Sequence, residues 1–333
     1  MLPDRLSDFV TLSVSVFIES LPFVFLGILL SIVVQVWLPP TLIERVLPRR
    51  PALRRAALSL LGVLLPVCEC GNVPLARGLI LRGFTPAEAL TFLLAAPILN
   101  PVTIITTYQA FGWDHGILVA RILGGFVIAN LVGWVFSRHP RQHEILTPQF
   151  EASCRHAATG GDHDHDHDHD THLGPEGEDS DDVEARANVG PLAGLSRRTR
   201  TRLRRSALSF AEESSAMLPA LAVGSGIAGA IQVGVPRETL LLLGSHPLLS
   251  VLALVALAFI ISICSNVDAF FIMSFGSTFM PGGIVAFLVF GAMMDIKMLA
   301  LLRTTFTTRT LLQLLAIIGL CSIAIGWGVN LVA

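Results

Sequence analysis

Charge is scarce in this chain. Only 14% of its 333 residues are Asp, Glu, Lys or Arg, against 53% apolar, whereas a soluble domain carries about 25% charged residues. A water-soluble fold is excluded on that ground, and an integral membrane protein is the default. Lysine is nearly missing: Lys297 is the one instance, and every other basic side chain is arginine. The arginines flank apolar segments, where membrane orientation accounts for them, so no nucleic-acid partner is expected. Cysteine is sparse too. Cys68, Cys70, Cys154, Cys264 and Cys321 are odd in number and lie mostly in apolar sequence, which argues against a disulfide framework. Cys321 reads as packing in a plain apolar helix. No G-x-x-x-x-G-K-[ST] string occurs, so ATP coupling would need a separate subunit. The first apolar block lacks a basic start and a small-residue cleavage site, and it reads as a retained span.

Apolar blocks are what the chain has in abundance. They run at 9–37, 56–82, 86–111, 116–137, 207–235, 247–279, 283–302 and 310–332. A span needs about 20 such residues, and most blocks qualify. Three segments follow: a first membrane repeat at 1–137, a polar His/Asp-rich insert expected to be a disordered cytoplasmic loop at 138–206, and a second membrane repeat at 207–333. The repeats show in special residues. Pro22, Gly27, Gln35 and Pro39 match Pro219, Gly224, Gln232 and Pro236, all at one offset. Cys68 and Asn72 match Cys264 and Asp268, and Asn100 matches Asp295. Internal repeats of this size are a transporter signature. The arginine clusters at 44–55, 138–141, 197–205 and 303–309 should all face the cytoplasm. They do so if block 56–82 is a re-entrant hairpin turning at "CECGN". The fold class expected is therefore an all-α integral membrane protein of two inverted repeats. Each holds about three spanning helices plus a re-entrant or broken hairpin. Four spans per repeat is the alternative.

The stretch "PVCECGNVP" carries the first chemistry. Non-helical backbone inside a bilayer is tolerated only in protein or beside a wet cavity. Pro66, Gly71 and Pro74 are expected to break the helix there, as Pro97 and Pro101 are around Asn100. Glu69 at membrane depth reads as functional. Cys68 and Cys70 offer soft sulfur for Cu(I), Zn(II) or trivalent arsenic. Cys264 in "SICSNVDAF" supplies a third thiol, and pseudo-symmetry would bring the three together. The expected transport site comprises Cys68, Glu69, Cys70, Asn72, Asn100, Cys264, Asn266, Asp268, Asp295 and Lys297. Small packing thiols and a structural carboxylate are the plainer reading of the same stretch. Arg121 is expected to snorkel to the outer surface, Glu19 to reach a cavity, and Glu212 and Glu213 to be solvated. In the insert, His163, His165, His167, His169 and His172 alternate with aspartates and suit Zn, Ni, Co or Cu(II), though the protein requires no cofactor.

"LPVCECGNVPLARGLILRGFTPAEALTFLLAAPILNPVTIITTYQAFG", "SICSNVDAFFIMSFG" and "GAMMDIKML" together resemble the bacterial predicted-permease family. The organoarsenical (methylarsenite) efflux permeases are its best-known relatives. The resemblance covers both membrane halves and implies a multi-pass inner-membrane permease, not an enzyme. The His-rich tract departs from the arsenical branch and favours a transition metal. The function expected is secondary transport of a thiophilic metalloid or divalent transition metal, as proton-coupled efflux. The partners are the bilayer, a small inorganic or organometalloid substrate and protons, with a homo-oligomer left open. Two alternatives are a membrane thiol redox protein using the C-x-C pair and a metal-sensing scaffold built on the loop.

Overall fold

The computed structural model describes residues 2–38, 47, 48, 50–64, 67–158, 197–234, 247–275 and 279–332. Apart from one isolated bridge between Leu146 and Phe306, regular structure among the described residues is helical. The first half holds α1 (Leu2–Ile32, prolonged by a π-helical turn Val33–Trp37), α2 (Pro51–Leu61), α3 (Glu69–Leu81), α4 (Pro86–Leu99), α5 (Pro101–Phe111) and α6 (Ile117–Ser137). After α7 (Pro148–Ala158), the second half holds α8 (Arg197–Gly234), α9 (Pro247–Ile261), α10 (Asp268–Met273), α11 (Pro281–Met293), α12 (Ile296–Leu302) and α13 (Thr308–Val332). The order of long helix, two short helices, broken helix and long helix thus occurs twice. Six described stretches are long and apolar enough to cross a membrane: Arg5–Trp37, Pro86–Phe111, Asp114–Ser137, Thr199–Gly234, Pro281–Leu302 and Thr308–Val332.

Local chemistry sets the breaks. Thr85 and Glu88 form a capping box that starts α4, with Pro86 at the first helical position, where its missing N–H costs nothing. Asn100 ends α4 and opens α5: its Oδ1 accepts from the Val102 N–H at 2.9 Å, and Pro101 follows as the first helical residue. Asp295 plays the same part for α12, accepting from the Met298 N–H at 2.6 Å. Three of the expected helix breaks are corrected here. Gly71 and Pro74 lie inside α3, and Pro97 lies inside α4. Each proline removes one helical hydrogen bond, a cost of about 3 kcal/mol, but both helices are buried along almost their whole length and packing outweighs it. Pro66 lies outside the described residues.

Contacts give each element its direction. Arg54 on α2 pairs with Glu88 in the first turn of α4 at 2.9 Å and lies over the Phe84 ring. At the other end Gly62 abuts Ala96, and Asn100 Nδ2 donates to the Val67 carbonyl at 3.2 Å. The chain therefore enters along α4 to the level of Asn100, and α3 returns it to Phe84. This is a re-entrant hairpin, not a pair of spans. Its turn falls just before Glu69, so "ECGN" opens the return helix. In the second half Gly283 abuts Ser250 and Leu254, and Gly291 abuts Ala258, so α9 likewise runs beside α11 and stops at mid-depth. Helices α1 and α8 are antiparallel: Trp37 donates to Ser206 at 3.3 Å, and Gly229 meets Ser13. Trp37, Arg54, Phe84 and Ser206 thus share the side that carries α7. Asn330, which accepts from the Gly282 N–H at 2.8 Å, lies on the opposite side.

Within 138–206 the described parts are ordered. The Thr147 N–H donates to the Thr305 carbonyl at 2.9 Å and the Thr307 N–H to the Ile145 carbonyl at 3.0 Å. Ile145, Leu146 and Phe150 are buried, and these apolar anchors in a polar stretch hold α7 against the bundle. The basic run 197–205 is the first part of α8. His163, His165, His167, His169 and His172 lie outside the described residues.

Candidate functional site

Four short helices, α3, α5, α10 and α12, start at mid-depth, where the two hairpin turns and the two helix breaks meet. Cys68, Glu69 and Cys264 come together there, with one ligand atom from each lying within 4.8 Å of the others, and all three residues are buried. Glu69 Oε2 accepts from Ser265 Oγ at 2.9 Å and from the Ser265 N–H at 3.4 Å, and Cys264 Sγ lies 3.9 Å from it. Glu69 Oε1 faces Lys297 Nζ at 3.8 Å, and the same ammonium stands 3.8 Å from Asp295 Oδ2. Two sulfurs and a carboxylate oxygen buried together make a donor set that could hold a soft or borderline cation.

Helix ends and neighbouring cations offset the burial of these carboxylates. Glu69 and Asp268 sit in the first turns of α3 and α10, and Asp295 caps α12. Helix N-termini favour carboxylates. Asp268 is 3% exposed and Arg121 1%. Arg121 Nη2 donates to Asp268 Oδ2 at 2.6 Å and Nη1 to Oδ1 at 3.0 Å, with a third bond to Thr107 Oγ1 at 2.7 Å. Three buried carboxylates (Glu69, Asp268, Asp295) face two buried cations (Lys297, Arg121), which leaves one negative charge over when all are ionised. Glu69 Oε1, Asp295 Oδ2 and both polar atoms of Asn72 have no hydrogen-bond partner among the described residues.

Of the residues singled out from sequence, Cys68, Glu69, Cys264, Asp295 and Lys297 form this one cluster. Cys70 lies against Cys68 but outside the tight group of three donors. Asn72 is buried one turn into α3. Asn100 is occupied as a cap, and Asn266 Oδ1 accepts from Thr103 Oγ1 at 3.2 Å. Asp268 is not paired with the central lysine but with Arg121. Arg121 does not snorkel, because a bidentate partner inside the bundle outweighs the outer surface. Glu213 is likewise buried, donated to by Arg77 Nε at 2.9 Å, while Glu212 and Glu19 are exposed. Sequence reasoning missed Ser265, Arg77 and the inward role of Arg121. Ser265 was discoverable, since it occupies the position in the second half that Glu69 holds in the first. Arg121 carried the same signal as Glu69, a charge inside an apolar block.

Comparison with known proteins gives the family. Residues 5–331 match the ArsP_1 family, described as "Predicted permease". The UPF0718 protein YcgR of Bacillus subtilis is 33% identical over 92% of this chain and 91% of its own length. A Streptococcus mutans protein, provisionally named a two-component membrane permease complex subunit, is 28% identical over 94% of this chain and 91% of its own. The UPF0718 protein YraQ of Escherichia coli is 29% identical over 38% of this chain and 35% of its own. No solved structure matches. Membrane-crossing helices in two similarly ordered halves, broken at a shared centre, together with these matches over nearly the whole chain, identify it as a multi-pass membrane protein of the predicted-permease family.

Proposed function

We propose that the chain is a secondary permease that exports a thiophilic metal cation or trivalent metalloid from the cytoplasm across the inner membrane. The observation that carries the proposal is the buried Cys68–Glu69–Cys264 group at the meeting point of four helix starts. Sulfur donors suit Zn(II), Cu(I) or trivalent arsenic and disfavour Na⁺ and Mg²⁺. The surplus negative charge of the core favours a positively charged cargo. Lys297 faces the second oxygen of the same Glu69 carboxylate whose first oxygen lies against Cys264, so cargo and ammonium share one counter-charge, and the Glu69–Lys297–Asp295 group is where a counter-moving proton would be exchanged. The halves read as an inverted repeat. Helix α1 runs toward the α7 side and α8 away from it, and the two hairpins enter from opposite sides. Arginine clusters on the α7 side support a cytoplasmic location for that side, and the His-rich tract would serve as a metal buffer there. The direction of transport rests on the family resemblance alone.

Expression in a metal-sensitive strain tests this reading. The parent chain should raise tolerance to at least one thiophilic ion, and Cys68→Ser with Cys264→Ser should abolish the gain while membrane abundance is unchanged. Deleting residues 160–172 should alter the concentration dependence but keep the protection. Undiminished protection by the double-serine variant would refute the site, and loss of all protection on deleting the tract would point to metal sensing instead.

A further inference from the structure

The first helices of the two halves do not pack alike. Gly27 of α1 lies so close to Gly71 of α3 that no side chain fits between them. Gly224 holds the matching position in α8, but it does not meet α10, the counterpart of α3. It meets Lys297 and Ala300 of α12 instead. Helices α3 and α12 both run from the centre toward the α7 side. The antiparallel α1–α8 pair is therefore docked on that side's two short helices, and it packs far less against α5 and α10, which run the other way.

Carrying each contact over to the matching residues of the other half gives a second arrangement. The Gly27–Gly71 contact becomes Gly224 against Val267. The contact of Gly224 with Lys297 and Ala300 becomes Gly27 against Val102 and Ile105. All three of these apolar residues stand open, with Val267 47%, Val102 41% and Ile105 55% exposed. We propose that the exposed face of α5 and α10 is a second docking surface for the α1–α8 pair of the same chain. Moving between the two positions changes the side from which the central cluster is reached. The proposal rests on the permease and inverted-repeat reading above.

An ion pair marks the described position. Arg77 on α3 donates to Glu213 on α8 at 2.9 Å and to Thr305 Oγ1 at 3.1 Å, and its guanidinium lies 4.2 Å from the centre of the Phe150 ring. The matching residues, Met273 and Val16, carry no charge. This latch therefore holds the described docking only, and removing it frees the pair to move.

Crosslinking in native membranes tests the proposal, with Cys154→Ala and Cys321→Ala as background. Ala220→Cys is paired either with Ala300→Cys, since both residues line one groove, or with Val267→Cys. The second pair is the counterpart of the observed contact between Phe23 and Gly71. A short bismaleimide should join both pairs within one chain, and Glu213→Gln should raise the Ala220–Val267 yield several-fold at the expense of the other. Absence of the Ala220–Val267 product beside a strong Ala220–Ala300 product would overturn the proposal. So would links at Val267 that join only separate chains, which would make that face an interface between copies, and so would failure of both pairs. Crosslinking needs no cargo. A chain that links at both positions yet moves no metal would overturn the cargo reading and leave the second docking surface standing.

Discussion

Among the described residues two guanidinium–carboxylate pairs lie buried inside the bundle, and in each a half-one arginine meets a half-two acid: Arg77 with Glu213 and Arg121 with Asp268. Removing one partner of a buried pair strands the other charge, at a cost of about 3–5 kcal/mol, while replacing both with apolar side chains is far milder. Asp268→Asn is expected to lower the unfolding midpoint in detergent strongly, and Asp268→Asn with Arg121→Met to recover most of the loss. Equal midpoints for the single and double variants would show that Arg121 finds another partner. The central lysine differs from these arginines. Lys297 stands 3.8 Å from each of two carboxylate oxygens and makes no short bond to either. It balances charge without locking geometry.

At the scale of the helix, the breaks matter more than the lengths. Asn100 and Asp295 each stop one helix and cap the next, so polar groups reach mid-depth with their backbone neighbours satisfied. Gly27 illustrates the opposite requirement, a smooth close approach, since a side chain there would run into the Gly71 backbone. Gly27→Leu should therefore prise α1 from α3, lowering the thermal midpoint far more than Gly234→Leu, which meets open space. Matched losses at the two positions would show that the α1–α3 contact is dispensable. Much of this level was legible from sequence. Hydropathy marked the spans, and Asn100 and Asp295 stood out as polar residues inside apolar runs. Pro74 and Pro97 were misread because a proline's local cost is visible in sequence while the burial that offsets it is not. Arg121 was misread because its helix is apolar all round, so periodicity could not say which face turned inward.

Across the whole molecule, matching positions of the two halves do different work. Cys68 and Cys264 converge, and Glu69 accepts from its own counterpart, Ser265. The Asn72 side chain has no hydrogen-bond partner among the described residues, whereas that of its counterpart Asp268 is locked to Arg121. Two similarly ordered halves thus hold an asymmetric set of donors, with the carboxylate that faces the thiols supplied by the first half alone. The matching order of elements in the two halves was foreshadowed in sequence by Pro22 and Gly27 at one offset and by Cys68 and Asn72 at a neighbouring one. The assignment of donors was not, because it depends on which residues approach across the centre. Flux in vesicles reconstituted with the pure protein tests the central claim most directly, with Zn²⁺, Cu⁺ and a trivalent arsenical as probes. The parent chain should move at least one of them, and Glu69→Gln with Cys264→Ser should reduce that flux to the level of empty vesicles while the protein remains folded. Unchanged flux in the variant would contradict the site, and parent flux of none of the three would contradict the cargo class.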